Sequence, residues 1–154
     1  MIKVLFVCHG NICRSPMAEF IFKDMVEKQG LSHKFHIESA ATSTEEIGNG
    51  VYPPARRELA RHGLSCAGHA ARQVRSRDYQ AFDYLLCAEQ YNIRNLRWII
   101  SKDPQHKIMR LLDFSSRPRD IDDPWYSGNF TTAYSDIVEG CECFLHYLQE
   151  SGQV

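Results

Sequence analysis

Apolar residues gather in four short dense runs, at positions 3–7, 35–39, 83–87 and 107–111, each rich in Val, Ile, Leu or Phe. Runs this short, separated by helix-length intervals, read as strands buried on both faces. Their alternation with helices predicts an α/β fold whose parallel sheet is covered on both sides. Between the runs the apolar spacing changes to three and four. Met17, Phe20, Ile21 and Met25 share one face of a helix expected to begin at Pro16, with Ser15 as N-cap and Gly30 at its end. Tyr134, Ile137, Val138, Cys141, Leu145 and Leu148 mark a last helix over 131–150, and 53–62 and 89–100 are also predicted helical. Ser, Gly, Pro and Asp concentrate at 41–54 and 113–128, which read as loops. No repeat or linker divides the chain, so residues 1–154 are expected to form one domain.

Composition narrows the functions. A chain of 154 residues, 44% of them hydrophobic, can bury one real core. Its formal charge of -1 gives no general attraction to nucleic acid or to an anionic membrane, so neither is expected as a partner, and an anion needs a local site. No run approaches the roughly 18 apolar residues of a membrane span, and the N-terminus enters a strand without a signal-peptide core. A cytoplasmic protein is expected. Six cysteines are too sparse for a disulfide framework and read as resting thiols.

The stretch VLFVCHGNICRSP, from Val4 to Pro16, supplies the local site. It joins the carboxyl end of the first strand to the start of the first helix, where unpaired N–H groups and the positive end of the helix dipole meet ligands of open α/β sheets. Gly10 and Asn11 tolerate left-handed backbone angles, which lets successive N–H groups converge on an anion. Arg14 adds a planar fork suited to two phosphate oxygens. Cys8 sits at the strand end inside this positive environment, which favours a nucleophilic thiolate, and the Ser15 hydroxyl can donate to it. A merely buried cysteine leaves the arginine six residues later unexplained.

Cys8-x5-Arg14-Ser15, together with SAATS from Ser39, HAARQ from His69, DYLLC from Asp83 and DDPWYSG from Asp122, resembles the low-molecular-weight protein-tyrosine-phosphatase family over nearly the whole chain. The resemblance implies a single-domain, doubly wound, four-stranded parallel sheet of order 2-1-3-4 with helices on both faces. It implies a monomeric phosphoric monoester hydrolase, without metal or cofactor, acting on phosphotyrosine proteins or aryl phosphates. His9, Gly10, Asn11, Ile12, Cys13, Arg14 and Ser15 would bind the phosphate, and Cys8 would attack it. A departing phenolate needs a proton, and Asp123, which precedes proline as in the family pattern, is the expected general acid, with Asp122 as its rival. Ser39 and His69 would hold Asn11. Ile12, Trp125 and Tyr126 would wall the cleft, joined by Glu45, which occupies a position where many family members carry an aromatic residue.

Other readings remain beside this one. His62-x3-Cys66-x2-His69 offers only three zinc ligands at unusual spacing. Arg72, Arg75 and Arg77 form a basic cluster without aromatic partners and read as a solvated face, with Arg72 as a possible support for the loop. Arsenate reductases of the same fold place a further cysteine where Arg94 stands, and protein-arginine phosphatases tend to carry threonine at the position of Ile12. A non-catalytic phosphotyrosine-binding module would keep Arg14 and lose Cys8 or the acid.

Overall fold

The structure is a computed structural model that describes all of residues 1–154. Strand β1 (Ile2–Cys8) lies between β2 (Phe35–Ala41) and β3 (Tyr84–Cys87), and β4 (Ile108–Arg110) pairs with the outer side of β3. All pairings are parallel, with Cys8 opposite Ala41 and Val7 opposite Cys87. The order is therefore 2-1-3-4. Six helices complete the chain: α1 (Arg14–Lys28), α2 (Pro53–Arg61), α3 (Asp78–Ala81), α4 (Gln90–Leu96), α5 (Pro124–Ser127) and α6 (Phe130–Glu150).

The two-residue period of β1 divides the core. Val4, Phe6 and Cys8 point into a cluster with Met17, Phe22, Leu59, Phe144 and Leu148, from α1, α2 and α6. Leu5 and Val7 point the other way, against Val74, Tyr79, Phe82, Leu96 and Ile100. A strand covered on both faces has no polar position to spare, and for that reason its sequence is a continuous apolar run. Phe22 organises the larger side, with ring centroids at 5.8 Å from Phe6, 5.3 Å from Phe35 and 5.5 Å from Phe144. At Gly140 a Cβ would stand 2.5 Å from Leu111 Cγ, so only glycine lets α6 lie this close to the 3-10 turn after β4.

Several expectations about the elements need correction. The first helix begins at Arg14, with Cys13 rather than Ser15 at the N-cap and no side-chain cap. Ser15 already lies within the helix, and its hydroxyl turns toward Cys8. The helix expected over 89–100 ends at Leu96, and its last apolar residue, Ile100, reaches the core from turns instead. The loop expected over 113–128 contains a 3-10 turn and the single helical turn α5, while α3 is too short to show a period. Gly30, at φ 70°, follows the end of α1 as expected. All six cysteines are free thiols, and no helix is long and apolar enough to cross a membrane.

The strand order reverses around β1, which connects onward to β2 on one side while β3 pairs on the other. The crevice at such a reversal opens at the carboxyl ends of β1 and β3, and the loops after both strands reach it.

Candidate active site

Three donors converge on the sulfur of Cys8. The N–H groups of Asn11 and Ser15 approach Sγ at 3.3 and 3.4 Å, and Ser15 Oγ lies 3.0 Å away. The surrounding bonds fix the direction of the last contact. Asn11 Nδ2 donates to Ser15 Oγ at 2.8 Å and to Ser39 Oγ at 2.9 Å, while Ser39 donates to Glu19 Oε1 at 2.6 Å. Ser15 therefore accepts from Asn11 and is free to direct its own hydrogen at the sulfur. Lys23 holds the other oxygen of Glu19 at 2.5 Å, which anchors the chain of bonds at the surface.

Asn11 is fully buried with φ 58°, a left-handed conformation that costs a non-glycine residue free energy unless its surroundings hold it. Besides the two serines, His69 Nε2 donates to its carbonyl at 2.7 Å and the Arg72 N–H to its Oδ1 at 3.2 Å. The Arg72 side chain is itself held by Asp78 and Glu38. In this conformation the N–H groups of Gly10, Ile12 and Cys13 are not taken up by other protein atoms. They remain free for an anion.

Arg14 is 3% exposed at the base of the cleft. Its Nη1 donates to Glu89 and, at 2.7 Å, to the carbonyl of Ile121, and its Nη2 lies 3.3 Å from Asp123 Oδ2. Burial works against the guanidinium charge, but Cys8, Asp123 and Glu89 offset it and leave the Arg14 pKa above its ordinary value. Asp123 is the N-cap of α5, where Oδ1 accepts the Trp125 N–H at 3.0 Å. The Asp-Pro dipeptide thus acts as N-cap and first helical residue, and the cap aims the carboxyl inward. Asp122 is exposed and does not line the cleft.

The resulting cleft has a volume of about 200 Å³. It is lined by the buried Cys8, Ile12, Cys13 and Arg14, by the partly buried His9, Gly10, Glu46 and Asp123, and by the exposed Glu45, Trp125 and Tyr126. Every residue expected to touch the phosphate or wall the cleft lies here, except Asn11 and Ser15, which act from behind through the sulfur. Burial pushes the Cys13 thiol up to about 12, helped by the nearby charges of Cys8 and Asp123, so this second thiol stays protonated. Tyr52 stands behind the aromatic wall, with its ring centroid 4.7 Å from that of Trp125. The three residues of the apparent zinc pattern go separate ways: His62 stacks on Tyr134 at 3.7 Å, Cys66 joins the core, and His69 serves Asn11.

A family model described as low molecular weight phosphotyrosine protein phosphatase matches residues 3–154. The chain belongs to that family. It is 42% identical over 156 residues to the low molecular weight protein-tyrosine-phosphatase YfkJ of Bacillus subtilis, covering 100% of both chains. It is 43% identical to the low molecular weight phosphotyrosine protein phosphatase of Gallus gallus, covering 93% of each. The crystal structure of YfkJ superposes with a TM-score of 0.93, over 98% of this chain and 96% of that one. A Drosophila structure named DARP, an arginine phosphatase, superposes at 0.85 with 33% identity, over 95% of this chain and 97% of that one.

Within this phosphatase fold, sequence reasoning missed Glu89, Glu46 and Tyr52. Glu89 follows β3 and meets Arg14 across 75 positions of chain, at the reversal of strand order. Its one sequence signal is that it lies just past the end of a strand neighbouring the first. Glu46 follows Glu45, and its Cγ lies 3.5 Å from where a Gly10 Cβ would be. Tyr52 donates its N–H to the Ile12 carbonyl at 2.8 Å, a backbone bond that no side-chain pattern announces.

Proposed function

We propose that this protein hydrolyses phosphotyrosine in proteins, and aryl phosphates generally, through a cysteinyl-phosphate on Cys8. The observation that carries the reading is the convergence of two amides and the Ser15 hydroxyl on Cys8 Sγ, in one cleft with Arg14 and Asp123. In the first step the Cys8 thiolate attacks phosphorus while the bond to the aryl oxygen breaks, and Asp123 gives its proton to that oxygen. Arg14 and the loop N–H groups stabilise the three equatorial oxygens as charge redistributes. In the second step Asp123, now a carboxylate, takes a proton from water. The water oxygen bonds to phosphorus, inorganic phosphate leaves, and the sulfur departs as a thiolate that accepts the hydrogen bond from Ser15.

Ile12 presents an apolar branched side chain to the cleft, which Trp125 and Tyr126 also line. Such walls suit a phenyl ring better than the polar guanidinium of phosphoarginine, the substrate class that the name of the Drosophila neighbour raises. Six free thiols suit the reducing cytosol. The test is phosphate release from matched phosphotyrosine and phosphoarginine peptides. Turnover of the phosphotyrosine peptide, lost in Cys8→Ser, is expected. Turnover of phosphoarginine alone would reassign the substrate, and tight binding of phosphotyrosine without turnover would make this a binding module.

A further inference from the structure

Two carboxylates, Glu45 and Glu46, line the cleft, and no lysine stands with them. Glu45 is 67% exposed, and its Oε2 accepts from His9 Nε2 at 3.0 Å, while Oε1 has no partner. The contact pins the carboxylate beside the phosphate loop. The loop carrying Glu45 is tied down further by Ser43, whose N–H and hydroxyl both donate to the His9 carbonyl, at 3.1 and 2.9 Å. Glu46 is held in a similar way, with Oε2 accepting from Asn49 at 2.6 Å and Oε1 without a partner. Each residue thus offers one carboxylate oxygen at a position set by the fold rather than by a free side chain.

The cationic side of the ledger is short. Arg14 is the one Lys or Arg in the lining, and it is buried and engaged by Glu89 and Asp123. The same cleft is lined by Trp125, 51% exposed, and Tyr126, 86% exposed. A carboxylate pair and exposed aromatic surface in one cleft together attract an extended cation, through charge and through the ring faces.

We infer that the cleft mouth is a specificity site that selects phosphotyrosine flanked by lysine or arginine, with Glu45 and Glu46 as the residues that read the flanking cation. The inference rests on the phosphotyrosine reading above and deepens it. The phosphate itself goes to the positive base of the cleft, and the residue beside the phosphotyrosine meets the negative mouth. A glutamate there would be repelled by both carboxylates at once. Because the pairs are solvent-exposed, the discrimination is modest per carboxylate, roughly 2- to 5-fold, and falls as salt screens it.

The experiment is kcat/KM for phosphotyrosine peptides that differ at one flanking residue, Lys, Gln or Glu, in wild type, Glu45→Gln, Glu46→Gln and the double variant. Each is measured at low salt and at high salt, with p-nitrophenyl phosphate in parallel as a substrate that has no flanking residue. The expected result is a preference of Lys over Glu of about 5-fold or more in wild type at low salt, reduced in each single variant and nearly lost in the double variant and at high salt. The wild-type salt dependence keeps the test informative if the double variant folds poorly. Hydrolysis of all the peptides without preference, or a preference that survives both the double variant and high salt, would overturn the inference alone. Failure to hydrolyse any of them would overturn the phosphotyrosine reading and this inference with it.

Discussion

Ser15 Oγ lies 3.0 Å from Cys8 Sγ, and Asn11 Nδ2, which donates to the same oxygen at 2.8 Å, leaves the serine hydrogen for the sulfur. The contact matters most when the sulfur carries full negative charge, before attack and again when it is expelled from phosphorus. Ser15→Ala should therefore lower kcat by about 10- to 100-fold, the worth of one hydrogen bond to a charged group. The breakdown step should suffer most, so stopped-flow traces should show a larger burst of phenol relative to the steady rate. An unchanged kcat would remove the hydroxyl from the chemistry.

Asp123, rather than Asp122, is within reach of Arg14 and the cleft. Asp123→Ala should slow hydrolysis of phenyl phosphate by roughly 10²- to 10⁴-fold, and much less for p-nitrophenyl phosphate, whose leaving group needs no proton. Asp122→Ala should change neither rate appreciably. Equal losses across leaving groups, or a larger effect at Asp122, would transfer the acid role.

Both residues show how far sequence reaches. The strands were legible because β1 fills two cores at once and tolerates no polar residue, whereas Asp123 was singled out only by the family pattern, in which it precedes proline, and its place as the N-cap of α5 was not foreseen. Ser15 was misread as the helix cap for a physical reason: its hydroxyl bonds to Cys8 and Asn11, and the helix starts two residues earlier than expected, without a side-chain cap. Helix α5 hid in an expected loop because four residues cannot display a period. Glu89 could not be foreseen, since its meeting with Arg14 depends on which strands become neighbours and not on any local spacing.

Cysteine chemistry should be confined to one site. Burial pushes the thiols of Cys87 and Cys141 far up and that of Cys13 to about 12, and it also raises Cys66 and Cys143, whereas Cys8 alone gathers three donors. Iodoacetamide near neutral pH should label Cys8 first and Cys13 hardly at all, as read by peptide mass mapping, and inorganic phosphate should protect. Labelling of Cys13 at a comparable rate would contradict the assignment.

Away from the cleft, Glu139 couples stability to pH. Hydrogen bonds from Arg119 and Ser115 hold its carboxyl at about 2, against an ordinary value near 4.5. Its contribution is fully present above about pH 5 and is lost as pH falls through the folded value near 2. With both partners partly exposed, that contribution is about 1 kcal/mol after allowance for screening. Glu139→Gln should thus lower stability in urea melts at pH 7 by about this amount, and the difference should narrow steadily between roughly pH 5 and pH 2. A gap that stays constant over that interval would show that the ion pair is not its source.

The central claim is that phosphate passes through the sulfur of Cys8, and rapid acid quench of an isotopically labelled aryl phosphate during turnover tests it most directly. Peptide mapping should then find phosphate on Cys8 in wild type, more of it in Ser15→Ala, and none in Cys8→Ser, which should still bind inorganic phosphate. Label on any other residue, or full turnover by Cys8→Ser, would contradict the account.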